Sequence, residues 1–501
     1  MELIFQEKQV QYLNRIVNET VLLEQTADLI VPDSIADIDR VVDAYGTAML
    51  RSQECNAQGL SADGTVRAGV LFVDTDGAVQ CISAQIPFTV RRELASPQED
   101  CTLQCKCVLR SVDARALNSR KLLVRVGIAC TVTAYAQEKC MCYDLPEAAP
   151  NLQLKRTELP FTMPLALGEK SFVLNEELEV PSGKPSVERL LKCVFRPQTE
   201  EEKIVGDKAV FKGNLLLHAL YESADGKLVC CEWNVPFSQY AQLMRELDEG
   251  EIRTHLCITN ADVEQDTQSD CRRLLLSASL LAQCTAYGEQ KISMIADAFC
   301  TDAVLTPQYQ SCEMLGILDR QTFRETAMAA SVEPAQSVVD AWIYPEQVNR
   351  RREDGRVRLE LPMNCNVLYY DEHGALQGKT LRPTVNAETA LSEQANCMVE
   401  HIDSGEIYCS AGPDGLQLRA PVTMQVECSA NHRLNAVSGG EITDLPATQE
   451  RRPSVILRRT DNDEELWALA KSFRTPLQTI IEANALQGDT VPADTMLLIP
   501  L

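Results

Sequence analysis

Twenty cysteines among 501 residues give this sequence its greatest chemical potential. Thiols can ligate zinc, attack as nucleophiles or pair as disulfides. They cluster as Cys101, Cys105 and Cys107, as Cys140 and Cys142, and as Cys230 beside Cys231. No cluster has the C-x-x-C spacing of a zinc or dithiol site, and only the histidines at 218, 255, 373, 401 and 432 are available as partners. Alternating thiols such as Cys105 and Cys107 fall on one face of a strand, where cysteine serves as a small buried hydrophobe. His218, inside "LLLHALY", reads as a hydrogen-bonded histidine of a β-run. No metal or cofactor is therefore expected. The opening "MELIFQEKQVQYLNRIV" carries Glu2 and Glu7 where a secretory leader has basic residues, so reduced thiols and a cytoplasmic protein are expected.

Other chemistries leave no trace. The sequence has no G-x-G-x-x-G, no phosphate-cradling G-x-x-x-x-G-K-[ST], no G-x-S-x-G and no H-E-x-x-H. Adjacent carboxylates abound, as in "TEEEK", but 72 acidic residues make most such pairs solvated surface. No catalytic residue is assigned, and a non-enzyme is expected. The net charge of −25 and pI near 4.7 argue against nucleic acid, whose phosphates need clustered Lys and Arg. They argue equally against an anionic membrane surface, and no apolar run reaches the length of a membrane span.

The elements carrying these residues read as strands. "TVRAGVLFVDTDGAVQCISAQIPF", "NLLLHALYESADGKLVCCEWNVPF" and "MNCNVLYYDEHGALQGKTLRP" each alternate apolar residues, break at Asp76-Gly77, Asp225-Gly226 or His373-Gly374, and resume. Such dipeptides between alternating runs mark tight hairpins. The glycines at 77, 226 and 374 are 149 and 148 residues apart. Pro87, Pro236 and Pro383 follow them, and Cys130, Cys284 and Cys428 take matching places in a later strand. A period this long means triplication of a whole domain. The expected architecture is mainly β: three tandem antiparallel β-rich modules, at 1–145, 146–310 and 311–437, laid out as an extended surface. Within it, 135–169 reads as a proline-bearing inter-domain link and 311–325 as a short helix. A tether at 438–453 precedes a final unit at 454–501.

That final unit changes period. "SVILRR" reads as a strand. Leu466, Leu469, Ala470 and Phe473 form one helical face. Thr475, Pro476 and Gln478 suggest a capped second helix with Leu477, Ile480 and Ile481 inward, and "MLLIPL" closes as a strand. Trp467 reads as a packing residue.

This βααβ unit resembles the LysM domain, through Leu466-Trp467-x-x-Ala470, Leu477-x-x-Ile480-Ile481-x-x-Asn484 and Leu498-Ile499-Pro500. The resemblance implies a groove between two loops, here Thr460, Asp461, Asn462, Asp463 and Glu464 on one side and Leu486, Gln487, Gly488, Asp489 and Thr490 on the other, of a kind that generally binds N-acetylglucosamine-containing glycans. Two departures stand out: Asp463-Glu464-Glu465 replaces the usual Gly-Asp-Thr, and Pro492-Ala493 replaces Pro-Gly. With this ending, the repeats, through hairpins such as "VLFVDTDGAVQC" and "ALYESADGKLVC", resemble the SPOCS-domain spore coat morphogenetic proteins of the SipL type. That resemblance implies a mother-cell cytoplasmic protein at the forespore surface, whose LysM unit contacts the coat basement-layer ATPase SpoIVA. The alternative partner is peptidoglycan glycan, at the wall or spore cortex.

Overall fold

The computed structural model describes residues 2–56, 59–94, 101–145, 151–266, 271–390, 395–445, 454–460, 464–488 and 490–501. Strands dominate, as the alternation predicts. One topology is built three times. In the first repeat, the opening strand Gln6–Ile30 pairs with the closing strand Lys121–Asp144, which pairs with Cys101–Asn118. A second sheet runs Ile38–Asn56, Gly59–Asp74, Val79–Glu93. The second repeat repeats both sheets, with Leu152–Glu179, Arg273–Cys300 and Glu251–Gln265 in one and Val187–Val205, Lys208–Ser223 and Leu228–Leu243 in the other. The third does so from Ala303–Ala330 to Gly415–Asp444, with its edge strands split in two. In each repeat the two sheets bury their apolar faces against one another as a sandwich.

Local chemistry sets the hairpins. Gly77, Gly226 and Gly374 have φ of 84°, 73° and 77°, a conformation open to glycine at little cost. Asp74 braces the first turn by accepting the backbone N–H of Asp76 and Ala78 at 3.0 and 2.8 Å; Asp371 does the same for His373 and Ala375. In the second repeat the Ser223 hydroxyl, donating to the Lys227 carbonyl, takes that place.

Two expectations are corrected. Within the link foreseen at 135–169, residues 135–144 instead continue the closing strand of the first repeat, and residues 152–169 pair with the closing strand of their own repeat, Pro160 opposite Lys291 and Pro164 opposite Tyr287; residues 146–150 lie outside the described residues. The helix foreseen at 311–325 lies within the strand Ala303–Ala330, paired along its length with the closing strand. Alternation on a two-sided β-ribbon overrode the short helix-like spacing there. Cys55 and Cys101 face one another on the second and fifth strands of the first repeat with Cα atoms 6.0 Å apart, within reach of a disulfide, while the other 18 cysteines are free.

The repeats do not string out as an extended surface. They close around an approximate three-fold axis. Asp43, Lys192 and Asp340, separated by the same offsets as the turn glycines, converge there from equivalent strands. Lys192 Nζ donates to Asp43 Oδ2 at 2.8 Å and to Asp340 Oδ2 at 2.7 Å, all three side chains being buried. The neighbouring contacts rotate with the axis. Arg40 donates to the Leu376 carbonyl of the third repeat, and its counterpart Arg189 donates to the Val79 carbonyl of the first. Asn366 of the third repeat reaches the Ala44 carbonyl of the first. Away from the sandwiches, the opening and closing strands of each repeat continue as a two-stranded ribbon. The three ribbons share a core of Phe5, Tyr12, Cys140, Phe161, Met294 and Met314. Closure buries apolar surface that a string of modules would leave wet.

Candidate interaction site

The terminal unit is a small fold pinned by its last strand. Val455–Arg459 pairs with Met496–Pro500. Helix α1 (Leu466–Phe473) and helix α2 (Leu477–Asn484) cover that ladder, with Leu466, Leu469, Ala470, Ile480, Leu497 and Ile499 in the core. Asn484 ties α2 to the ladder: its Nδ2 donates to the Leu498 carbonyl at 2.6 Å and its Oδ1 accepts the Leu498 N–H at 2.7 Å. The capping expected of Thr475 is not made. Pro476 precedes α2, and the buried Thr475 hydroxyl donates to the Pro500 carbonyl at 2.7 Å, while Gln478 bonds Glu482. An acceptor in the closing strand outcompeted the helix's own N–H groups.

The two groove loops are brought together by a short ladder, Glu464–Glu465 against Thr490–Val491. Thr460 is fully buried, its hydroxyl donating to the Pro492 carbonyl at 2.7 Å, so it shapes the loop from beneath. Glu464 is ion-paired with Arg458 at 3.0 Å. Leu486 leans on the small core, whereas Gln487, Gly488 and Thr490 are exposed. Gly488 has φ 96°, and a Cβ there would meet open space. Asp461, Asn462, Asp463 and Asp489 lie outside the described residues.

Sequence reasoning missed the face on the other side of α1, which docks on the ribbon tip of the second repeat. Trp467 stacks edge-on against Phe299, ring centroids 5.1 Å apart, and its Nε1–H donates to Asp297 Oδ2 at 2.8 Å. Lys471 Nζ reaches both Asp297 oxygens at 2.7 and 2.8 Å. Glu465 pairs with Lys155. Burial opposes charge on Asp297, but the Lys471 ammonium and the indole N–H outweigh it and hold the carboxyl below its ordinary range. No pattern in a single sequence links residue 297 to residue 467.

Polar residues also meet between the repeats. Arg15, Lys106, Tyr135, His255, Tyr287 and His401 line a cavity of about 420 Å³. Burial, then the charges of Lys106 and Arg253, push His255 down to about 3. Lys106 itself is pushed down by burial and donates to the Glu400 carbonyl at 2.7 Å. Nearer the axis, His218 bonds Glu232 through Nδ1 at 2.7 Å and Asp340 through Nε2 at 2.5 Å, with the Cys230 thiol 3.4 Å from Nε2. A nucleophilic cysteine needs a free imidazole nitrogen to take its proton. Asp340 occupies that nitrogen, and burial pushes the Cys230 thiol up.

The architecture is that of a β-repeat protein ending in a LysM-type module. The family model described as SipL, SPOCS domain matches residues 186–267, and the LysM domain model matches residues 462–500. The chain therefore carries a SipL-type SPOCS domain within its second repeat and a C-terminal LysM domain. Comparisons with curated proteins and with solved structures return no match. The pair of domains indicates a sporulation-related protein, and domains of both kinds are non-catalytic in general. Among the described residues no helix is long and apolar enough to cross a membrane.

Proposed function

We propose that this protein is a non-enzymatic assembly adaptor of the spore coat, working in the mother-cell cytoplasm at the forespore surface. All three repeats are read as SPOCS-type modules forming one rigid platform, and the LysM domain docks on a coat basement-layer protein of the SpoIVA type. One observation carries this reading: α1 anchors the LysM domain to the platform, so the loop with the exposed Gln487, Gly488 and Thr490 is held at a fixed place. The other groove loop is acidic in sequence, with Asp461, Asp463 and Glu464, which suits a complementary basic patch on a polypeptide. An uncharged sugar gains nothing from that acidity.

The second reading is peptidoglycan binding, favoured by the LysM match itself and by the open backbone at Gly488. The full chain and a Glu464→Arg/Thr490→Arg variant, checked for unchanged circular dichroism, separate the two. Salt-sensitive capture of a SpoIVA-like coat protein, lost in the variant, supports the adaptor. Cosedimentation with purified peptidoglycan and no capture of the coat protein overturns it.

A further inference from the structure

We infer that His218, Cys230 and Asp340 form a binding site for a zinc-class divalent ion at the junction of the second and third repeats. The three donor atoms, an imidazole nitrogen, a thiol sulfur and a carboxylate oxygen, lie within 4.8 Å of one another. Cys230 Sγ is 3.4 Å from His218 Nε2 and 3.6 Å from Asp340 Oδ1. A tetrahedral zinc with bonds of about 2.0 Å to nitrogen and oxygen and about 2.3 Å to sulfur separates its ligand atoms by about 3.3–3.5 Å. Two of the three pairs already stand near that spacing. The third, Nε2 to Oδ1 at 2.5 Å, is a hydrogen bond that opens by about 1 Å when an ion replaces the shared proton.

The surroundings are those of a metal site. Glu232 holds Nδ1 at 2.7 Å, which fixes the ring with Nε2 toward the other two donors, the usual role of a carboxylate behind a ligating histidine. Lys192 takes Asp340 Oδ2 and leaves Oδ1 to the cluster. Cys230 is partly exposed and the Glu232 side chain is 47 % exposed, so an ion has a way in and a water can complete the shell. The mixed N, S, O donor set suits zinc or cobalt better than magnesium or calcium.

The three-fold arrangement supplies an internal control. At the offsets of the turn glycines, the counterparts of His218, Cys230 and Asp340 are Gly69, Cys81 and Lys192 at one junction, and Asn366, Gly378 and Asp43 at the other. Only one of the three equivalent junctions carries the full ligand set. An ion there joins strands of the second repeat to a strand of the third, beside the buried charges on the axis.

The test uses the full chain, stripped with chelator and titrated with Co²⁺. The expected result is one tightly bound equivalent with tetrahedral ligand-field bands and a thiolate-to-cobalt charge-transfer band, displaced by Zn²⁺. Cys230→Ala abolishes the charge-transfer band, whereas Cys81→Ala, its counterpart, retains it. Glu232→Gln weakens binding by roughly 10–100-fold while keeping the band. His218→Gln, a second ligand variant, loses tetrahedral binding. Circular dichroism checks that each variant is folded. Absence of a saturable one-equivalent band in the wild type, or persistence of the same band in folded Cys230→Ala, overturns the proposal.

Discussion

Two of the ion-paired contacts between parts of this molecule differ sharply in depth. On the three-fold axis, the Lys192 side chain is 1 % exposed between Asp43 and Asp340 at 4 % and 1 %. At the ribbon tip, Lys471 is 39 % exposed beside Asp297 at 19 %. The first contact has no water to replace a lost partner, and the second has plenty. The expectation is that the three repeats unfold as one obligate body, and that the LysM domain is held in place yet can be released from it.

Breaking the axis gives the largest effect. Lys192→Met leaves Asp43 buried without a cation and Asp340 with His218 alone, at a cost of roughly 3–5 kcal/mol. Urea unfolding should show the whole β-body losing stability as one transition. If one repeat melts early while the others keep the wild-type midpoint, the repeats are not an obligate unit. Replacing all three charges by apolar residues of similar volume should recover much of the loss, since a buried ion triad holds little net stability over good packing.

Acid probes the same body from the inter-repeat cavity. His255 is held neutral, about 3 folded against about 6.5 unfolded. Its folded value is depressed, so the folded state binds fewer protons: the contribution is fully present above about pH 6.5 and is lost as pH falls toward 3. The ceiling is about 1.4 kcal/mol per pH unit, reduced because the side chain is 24 % exposed to the cavity. Stability should fall through that window, and His255→Gln should flatten the fall. The difference between the two proteins isolates His255 from Glu400, whose carboxyl is raised by burial and acts in the opposite sense. Parallel profiles would place the acid-sensitive group elsewhere.

The hairpins were legible because a turn glycine and alternation are local. The LysM unit was legible because a helical stripe within a β-chain has no other reading. Closure around the axis was not read, yet a trace of it lay in the sequence. "VVDAYG", "LLKCVF" and "VVDAWI" place Asp43, Lys192 and Asp340 inside apolar runs at the repeat offsets. A charge in an apolar strand needs a partner, and two acids with one base at equivalent positions propose each other. The His218, Cys230 and Asp340 cluster could not be found by spacing, because its members sit 12 and 110 residues apart and meet only once the repeats close. The docking of Trp467 on Phe299 left no sign, since each residue also fits a small local core.

The ribbon-tip contact should yield to gentler changes. Asp297→Ala removes the acceptor of both Trp467 and Lys471, which costs roughly 1–2 kcal/mol of docking. The body should melt as before, while limited proteolysis between 445 and 454 accelerates several-fold. An unchanged cleavage rate would mean that Phe299 and Trp467 hold the domain by apolar contact alone.

Smallest of all is the rim pair of Lys155 and Glu465, 35 % and 45 % exposed. Solvent screens it, and ordering two long side chains offsets most of the attraction, so its worth is at most about 0.5 kcal/mol. Exchanging the two charges, Lys155→Glu with Glu465→Lys, should leave both proteolysis and unfolding unchanged. Glu465→Lys alone sets two ammonium groups face to face and should raise the cleavage rate slightly at low salt and not at high salt. A salt-independent release of the domain by that single change would show that Glu465 matters through the short ladder to Thr490 rather than through its charge, and would tie docking on the platform to the shape of the groove loops.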